Sequence, residues 1–229
     1  MSAAAGRPRP TDRGDARADP VGQGVSWPPG ARVPDGFVAA SADVADSATI
    51  GPGTRIWHLA QVGDGAVLGA SCVVGRGAYI GPGVRVGDHV KIQNYALVYA
   101  PAELGPGVFV GPAVVLTNDL RPRAVEVDGR PRGGADWTPV AVVVREGASL
   151  GARAVCVAPV TIGRWSLVGA GAVVVEDVPD FGLVVGCPGR RIGWVGRAGE
   201  RLRPDGRSAW RCPQTGDRFH EEEGRLHEI

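Results

Sequence analysis

Few side chains in this 229-residue sequence can handle a proton near neutral pH. The histidines are His58, His89, His220 and His227. His58 sits in the run "RIWH" and is a candidate general base; no role is expected for His89. A zinc hydrolyase site needs three convergent imidazoles. Only His58 and His89 lie in the patterned part of the chain, at unlike positions, so no metal is expected. Asn118 and Asp119 stand immediately before the one break in that pattern, and Asp119 is a possible proton acceptor. Arg123, just inside that break, carries a planar fork suited to a sugar, phosphate or carboxylate oxygen.

The pattern that must position these groups has a period of six. An aliphatic residue recurs at every sixth position from Val38 through Val44, Ile50 and Ile56 to Val110 and Leu116, fourteen units without a slip. Gly often follows it, and a small residue or Val often stands four on, as in "IGPGTR" and "VGDGAV". A short fixed period means a solenoid. A hexapeptide period means a parallel β-helix, in which three units close one triangular coil of 18 residues. The aliphatic residue points into the bore, the small residue fits beside it, and the Gly-rich corner accepts turn conformations that other residues resist.

The register breaks after Leu116, and residues 122–137 do not repeat. Units return at Thr138 or Val144 and continue to Val174. That totals 21 units, about seven coils, or a prism roughly 34 Å long at ~4.8 Å per coil. Residues 122–137 are therefore expected to leave one corner as an extruded loop, and such loops usually serve function. The coil period also sets columns. His58, Arg76, Asn94 and Pro112 share one corner; Asp64, Pro82, Ala100 and Asn118 share the next.

Composition narrows the partners. A net charge of +1 gives no reason to expect nucleic acid or an anionic membrane surface. Residues 1–35 are rich in Pro, Gly, Ala, Arg and Asp and are expected to be disordered. They hold no apolar core of the signal-peptide kind, and no later run would span a bilayer, so a cytoplasmic location is expected. The cysteines Cys72, Cys156, Cys187 and Cys212 form no C-x-x-C pair and are expected to be reduced thiols.

The repeat resembles that of the hexapeptide-repeat acyltransferases, which are left-handed parallel β-helices. Four segments narrow the resemblance to the nucleotide-sugar 3-N-acetyltransferases: "RIWH" at 55–58, "VKIQN" at 90–94 with Val98 and Tyr99, "GPAVVLTNDLRPR" at 111–123, and the run 147–174. A fifth, "VVGCPGRRIGWV" at 184–195, resembles the closing motif of CoA-dependent members, with Gly189 where Ala is usual. The resemblance implies a homotrimer, sites between neighbouring prisms, acetyl-CoA as cosubstrate, and a UDP- or dTDP-linked 3-amino sugar as acceptor.

The implied chemistry is attack of a neutral amine on a thioester. It needs a groove that holds the reactants together, a donor for the oxyanion and a path for one proton. The resemblance gives Asn118 the leading role, orienting the amine, with His58 as the alternative base. Lys91, Gln93, Asn94, Tyr99 and Arg123 are implied on the substrate side. For CoA, backbone near Ala152, Ala170 and Ala172 is implied to hold the pantetheine arm, and Arg190 or Arg191 the phosphates. An acyltransferase with another small acceptor is the alternative.

Residues 181–229 are expected to cap the open end of the prism. "WVGRAGERL" and "WRCPQTGDRF" look like a zinc ribbon that has lost its metal: Gly196, Ala198 and Thr215 occupy cysteine positions, and only Cys212 remains. Four ligands are required, so a metal-free cap held by Leu202, Trp210 and Phe219 is expected.

Overall fold

The computed structural model describes residues 35–229; the tail expected to be disordered lies almost wholly outside them. The chain winds into a triangular prism of parallel strands, most of them only two residues long. Its three faces are built by every third strand. Face I runs from Phe37–Val38 through Arg55–Ile56, Val73–Val74, Lys91–Ile92, Phe109–Val110, Ser149–Leu150 and Leu167–Val168 to Gly182–Val185. Face II runs from Asp43–Val44 to Val173–Val174, and face III from Thr49–Ile50 to Val160–Ile162.

Within each strand pair the second residue points inward. Ile56, Ile80, Val98, Val110, Leu116 and Leu150 are completely buried, as are the small residues Ala60, Ala66 and Ala96 of the same bore. Two inward positions are polar, and both are satisfied. Thr54 Oγ1 donates to the Gly69 carbonyl at 2.8 Å and accepts from Cys72 N–H; Ser166 Oγ donates to the Gly163 carbonyl at 2.7 Å. Such pairing is what a buried hydroxyl requires.

The corners explain the Gly-rich repeat. At most corners the second turn residue adopts a left-handed backbone, as at Gly77, Gly83 and Gly171. Leu59, Tyr95, Ala113 and Arg153 adopt it without being glycine, at φ near +60°. Each such conformation costs roughly 1–2 kcal/mol in a residue with a side chain, and the stacked coils on either side hold it in place. At Gly77 a Cβ would meet the Tyr95 ring at 2.7 Å, so a side chain there would have to displace that exposed ring.

The break lies where the sequence puts it, but is wider. Strands stop at Leu116 and resume at Val142–Val144, so the irregular chain spans residues 117–141. Thr138 is not a repeat unit, because the next strand in register is Val142–Val144, paired with Glu103–Leu104. The unit that completes the seventh coil is instead an isolated bridge from Ile162 to Val178, and Leu183–Val184 adds an eighth layer on face I. The loop's ends are pinched together by Val140 N–H on the Asn118 carbonyl at 2.9 Å. Its body is braced by the Arg130–Asp136 pair and by Arg132 on Glu126 at 2.6 Å.

Beyond the prism, Arg190–Trp194 turns back antiparallel on Gly182–Val185, and a four-stranded antiparallel sheet closes the end. Phe181, Trp194, Leu202, Cys212, Phe219 and Leu226 form its separate core. The Glu221 carboxylate accepts from the indole N–H of both Trp194 and Trp210, at 3.0 and 2.8 Å. Among the described residues no helix is long and apolar enough to cross a membrane.

Candidate functional site

The corner between faces I and II carries the first column as a continuous backbone ladder. Gly77 N–H donates to the His58 carbonyl, Tyr95 to Arg76, Ala113 to Asn94, Arg153 to Pro112, and Gly171 to Ala152. The column His58–Arg76–Asn94–Pro112 therefore continues through Ala152 and Ala170. The loop does not disturb it, since Phe109 pairs with Ser149 forty positions on, where eighteen is the usual step. Asn94, expected on the acceptor side, and Ala152 and Ala170, expected on the CoA side, thus share one straight edge, polar below and smooth above. Directly over it, Gly186 and Gly189 hydrogen-bond Val173, which sets Arg190 at the top of that edge.

At the lower end, Trp57, His58, Val73, Arg76, Gln93 and Asn94 line a pocket of about 320 Å³. The His58 ring is fixed by a 2.9 Å contact between its Nδ1 and Ser41 Oγ of the coil below, which leaves Nε2 as the free ring nitrogen. Asn94 Oδ1 accepts from Arg76 N–H at 2.9 Å, so the Asn94 amide is oriented with its NH2 group unspent. Gly75 makes this possible, because a Cβ there would sit 2.6 Å from Asn94 Oδ1.

Asn118 lies on the other edge of face II, above Ala100, and Nδ2 donates to the Ala100 carbonyl at 2.6 Å. Asp119 Oδ1 accepts from Arg121 N–H at 2.8 Å and so shapes the start of the loop. Arg123 folds onto the Pro122 carbonyl. Tyr99, on the same edge, leans on Tyr79 of face II with ring centroids 5.2 Å apart. Lys91 projects from face I between Val73 and Phe109. Within one chain, His58 and Asn94 come together, and Asn118, Asp119 and Arg123 do not join them.

Two expected CoA contacts have other engagements. Ala172 is wholly buried in the bore, with its N–H on the Gly169 carbonyl and its carbonyl taken by Val155 N–H. Arg191 lies over the Trp194 ring, 4.1 Å from its centroid, and reaches Glu221 at 3.8 Å. Arg190 remains exposed, and among the described residues its side chain bonds only the Gly189 carbonyl. Sequence reasoning missed Ser41. Its signal was the coil spacing, since Ser41 precedes His58 by one residue less than a full turn.

No family model matches the chain. It is similar over 61 residues, at 44% identity, to a dTDP-3-amino-3,6-dideoxy-α-D-galactopyranose 3-N-acetyltransferase of Aneurinibacillus thermoaerophilus. That match covers 27% of this chain and 32% of the relative. A serine acetyltransferase of Bacillus subtilis is 40% identical over 62 residues, 27% of each chain. The matched stretch is thus about a third or less of these curated relatives. Among solved structures, LpxA of Bacteroides fragilis, a UDP-N-acetylglucosamine acyltransferase, superposes with a TM-score of 0.56 at 16% identity, over 69% of this chain and 61% of that one. The fold is the left-handed hexapeptide-repeat β-helix. The chain shares that scaffold with the structural neighbour and carries His58, Arg76 and Asn94 on its lower edge.

Proposed function

We propose that this chain is an acetyl-CoA-dependent N-acetyltransferase acting on the 3-amino group of a UDP- or dTDP-linked amino sugar. The observation that carries the reading is the single edge from His58 to Arg190. Its lower coils offer an imidazole, a guanidinium and an amide. Its upper coils offer small corners at Pro112, Ala152 and Ala170, where an extended pantetheine arm can lie against the backbone. Arg190 at the top suits the phosphates of the adenosine end. Similarity to the dTDP-3-amino-sugar acetyltransferase supports the acceptor class.

The sugar amine attacks the acetyl carbonyl, forming the C–N bond as the C–S bond breaks. One N–H proton leaves and is taken up by the departing thiolate, directly or by way of His58. An amine is already nucleophilic, so holding it in contact with the thioester supplies much of the rate. Asn118 orients the amine through its Oδ1. Lys91, Gln93, Asn94, Tyr99 and Arg123 bind the nucleotide-sugar, and backbone at Ala152 and Ala170 with Arg190 binds CoA.

The reading includes a homotrimer in which face II is shared. The outward residues of five successive coils on that face are Tyr79, Leu97, Val115, Val155 and Val173, without a charge. Face I carries Arg55 and Lys91 outward, and face III Arg85 and Glu103. With face II turned to the threefold axis, the His58–Asn94 edge of one copy adjoins the Asn118 edge of the next. The two polar columns that are apart in one chain then line one cleft.

The test is release of free CoA thiol from acetyl-CoA with UDP- and dTDP-linked 3-amino sugars, with the acetylated product checked by mass. Turnover with one of them is expected. Turnover only with small acceptors such as serine would favour the other reading, which the serine acetyltransferase similarity supports.

A further inference from the structure

The two edges of face II carry opposite charge at their lower ends. The edge toward face I holds His58 and Arg76, with Arg55 and Lys91 outward on face I beside it. The edge toward face III holds Asp46 and Asp64, and neither has a cation partner among the described residues. Arg76 is exposed, and its guanidinium likewise has no partner among the described residues. Asp64 is already oriented: Ser47 Oγ donates to its Oδ1 at 2.9 Å and accepts from Gly65 N–H at 3.0 Å. Its Oδ2 has no partner among the described residues.

Arg76 stands before the face II strand Tyr79–Ile80 and Asp64 after the strand Gln61–Val62, so the width of the face separates them. A second copy removes that separation. With face II turned to a threefold axis, the first edge of one copy runs beside the second edge of the next, and parallel prisms stand at equal heights. At ~4.8 Å per coil and a third of a coil per face, Asp64 lies roughly 1.6 Å above His58 and roughly 3.2 Å below Arg76. A guanidinium on its flexible stem spans that step, and its fork fits a carboxylate. The pocket at His58 is lined by no Asp or Glu of its own chain. Higher on face II the contact runs through Leu97 and Val115 and offers no charge.

We infer that Arg76 forms an ion pair with Asp64 of the next copy, so that a second copy supplies the carboxylate wall that the His58 pocket lacks within one chain. The inference rests on the shared-face trimer proposed above and gives Arg76 to assembly instead of to substrate. The pair closes the lower end of the cleft beneath Asn94. It also gives the apolar face a direction. Unlike edges attract, and any packing that brings two like edges together is disfavoured.

Charge reversal in the full chain tests it, read by sedimentation velocity across a dilution series. Arg76→Asp and Asp64→Arg should each raise the concentration at which the trimer dissociates by about tenfold or more. The double reversal should return it to within a few fold of the parent. Recovery cannot arise inside one chain, where face II holds the two positions apart. If the parent stays trimeric at every dilution, subunit exchange between differently tagged copies reads the same order: fast in the single variants, slow in the double. Should a reversal fail to fold, Arg76→Gln and Asp64→Asn should each weaken the trimer by about 2- to 5-fold, with no further loss on combining them. Single variants that assemble like the parent overturn the inference, as does a double variant that regains nothing. A monomeric parent overturns the shared-face trimer with it. The readout needs no substrate, so it stands or falls apart from the acyl-transfer chemistry.

Discussion

Asn118 Nδ2 donates to the carbonyl of Ala100, one coil below it on the same edge, at 2.6 Å. Lower on that edge the equivalent carbonyl, of Asp64, receives a backbone N–H from Gly83. Asn118 therefore replaces a main-chain donor with a side-chain one at the point where the loop departs. One of its two amide protons is spent, and Oδ1 has no partner among the described residues. Asn118→Ala should lower the rate by about 100-fold, the scale of removing one positioned polar group, and cost ~1 kcal/mol of stability. Steady-state kinetics beside thermal melts separates the two. A melt shift with full activity would leave Asn118 only its structural bond.

His58 is held by a single hydroxyl, Ser41, and among the described residues no carboxylate bonds its ring. A proton-accepting histidine is usually backed by an acid that steadies the imidazolium. We therefore expect His58→Ala to lose less than the ~100-fold typical of a true general base. A larger loss, matched by a changed pH–rate profile, would promote His58 over Asn118.

The bore and the edges were legible in the sequence because a β-helix fixes three-dimensional neighbours at a constant separation. Arg76, Asn94 and Pro112 could be stacked from numbering alone. Where the constant separation fails, so did the reading. Thr138 fits the six-residue count, yet the chain rejoins the prism at Val142, because re-entry is decided by pairing with Glu103 and not by counting. Ala172 fills the small inward position that the repeat assigns it, and its backbone N–H and carbonyl are both taken by neighbouring coils. Arg191 went to the cap because Trp194 and Glu221 offer it a ring and a carboxylate together. Contacts of that kind have no period.

Face II should be intolerant of charge. Val115→Glu places a carboxylate amid Leu97 and Val155, its partners in adjacent coils. Light scattering after size exclusion should give a trimer for the parent and a folded monomer for the variant, with activity lost alongside. A parent protein that is monomeric and active would remove face II from the site.

Two thiols should make the prism sensitive to alkali. Burial raises Cys72 from 9.0 to about 11, against opposing hydrogen bonds, and raises Cys156 to about 12. Above pH 9 the unfolded chain releases these protons and the folded chain retains them. The stabilisation is thus complete below pH 9 and is lost as pH climbs through 11 and 12. Denaturant midpoints measured from pH 8 to 11 should fall less steeply in a Cys72→Ala, Cys156→Val variant, which keeps both positions apolar. In the native protein, Cys187 is the exposed thiol and should be the first to react with a disulfide reagent.

Two turns of the cap fall at the positions where the sequence resembles a zinc ribbon. Gly199 N–H bonds the Gly196 carbonyl, and Gly216 N–H bonds the Cys212 carbonyl. A Cβ on Gly196 would lie 3.5 Å from Cys212 Sγ. Restoring three ligands with Gly196→Cys, Ala198→Cys and Thr215→Cys should create a tetrahedral site that takes up one zinc per chain. Metal analysis after dialysis reads the result. Failure to retain zinc in a folded variant would show that the two turns do not converge on a common centre.

The ladder from His58 to Ala170 also makes the prism a measuring rod. Each coil adds the same ~4.8 Å step, and in the proposed reading a donor arm anchored at Arg190 has a fixed reach. The level at which its acyl group arrives is therefore set by how many coils separate anchor from acceptor. Removing eighteen residues between Pro112 and Arg190, loop untouched, would leave every corner chemically intact and deliver the acyl group one storey too low. In such a molecule the choice of reacting atom is made by length, and evolution could retune it by inserting or deleting whole turns.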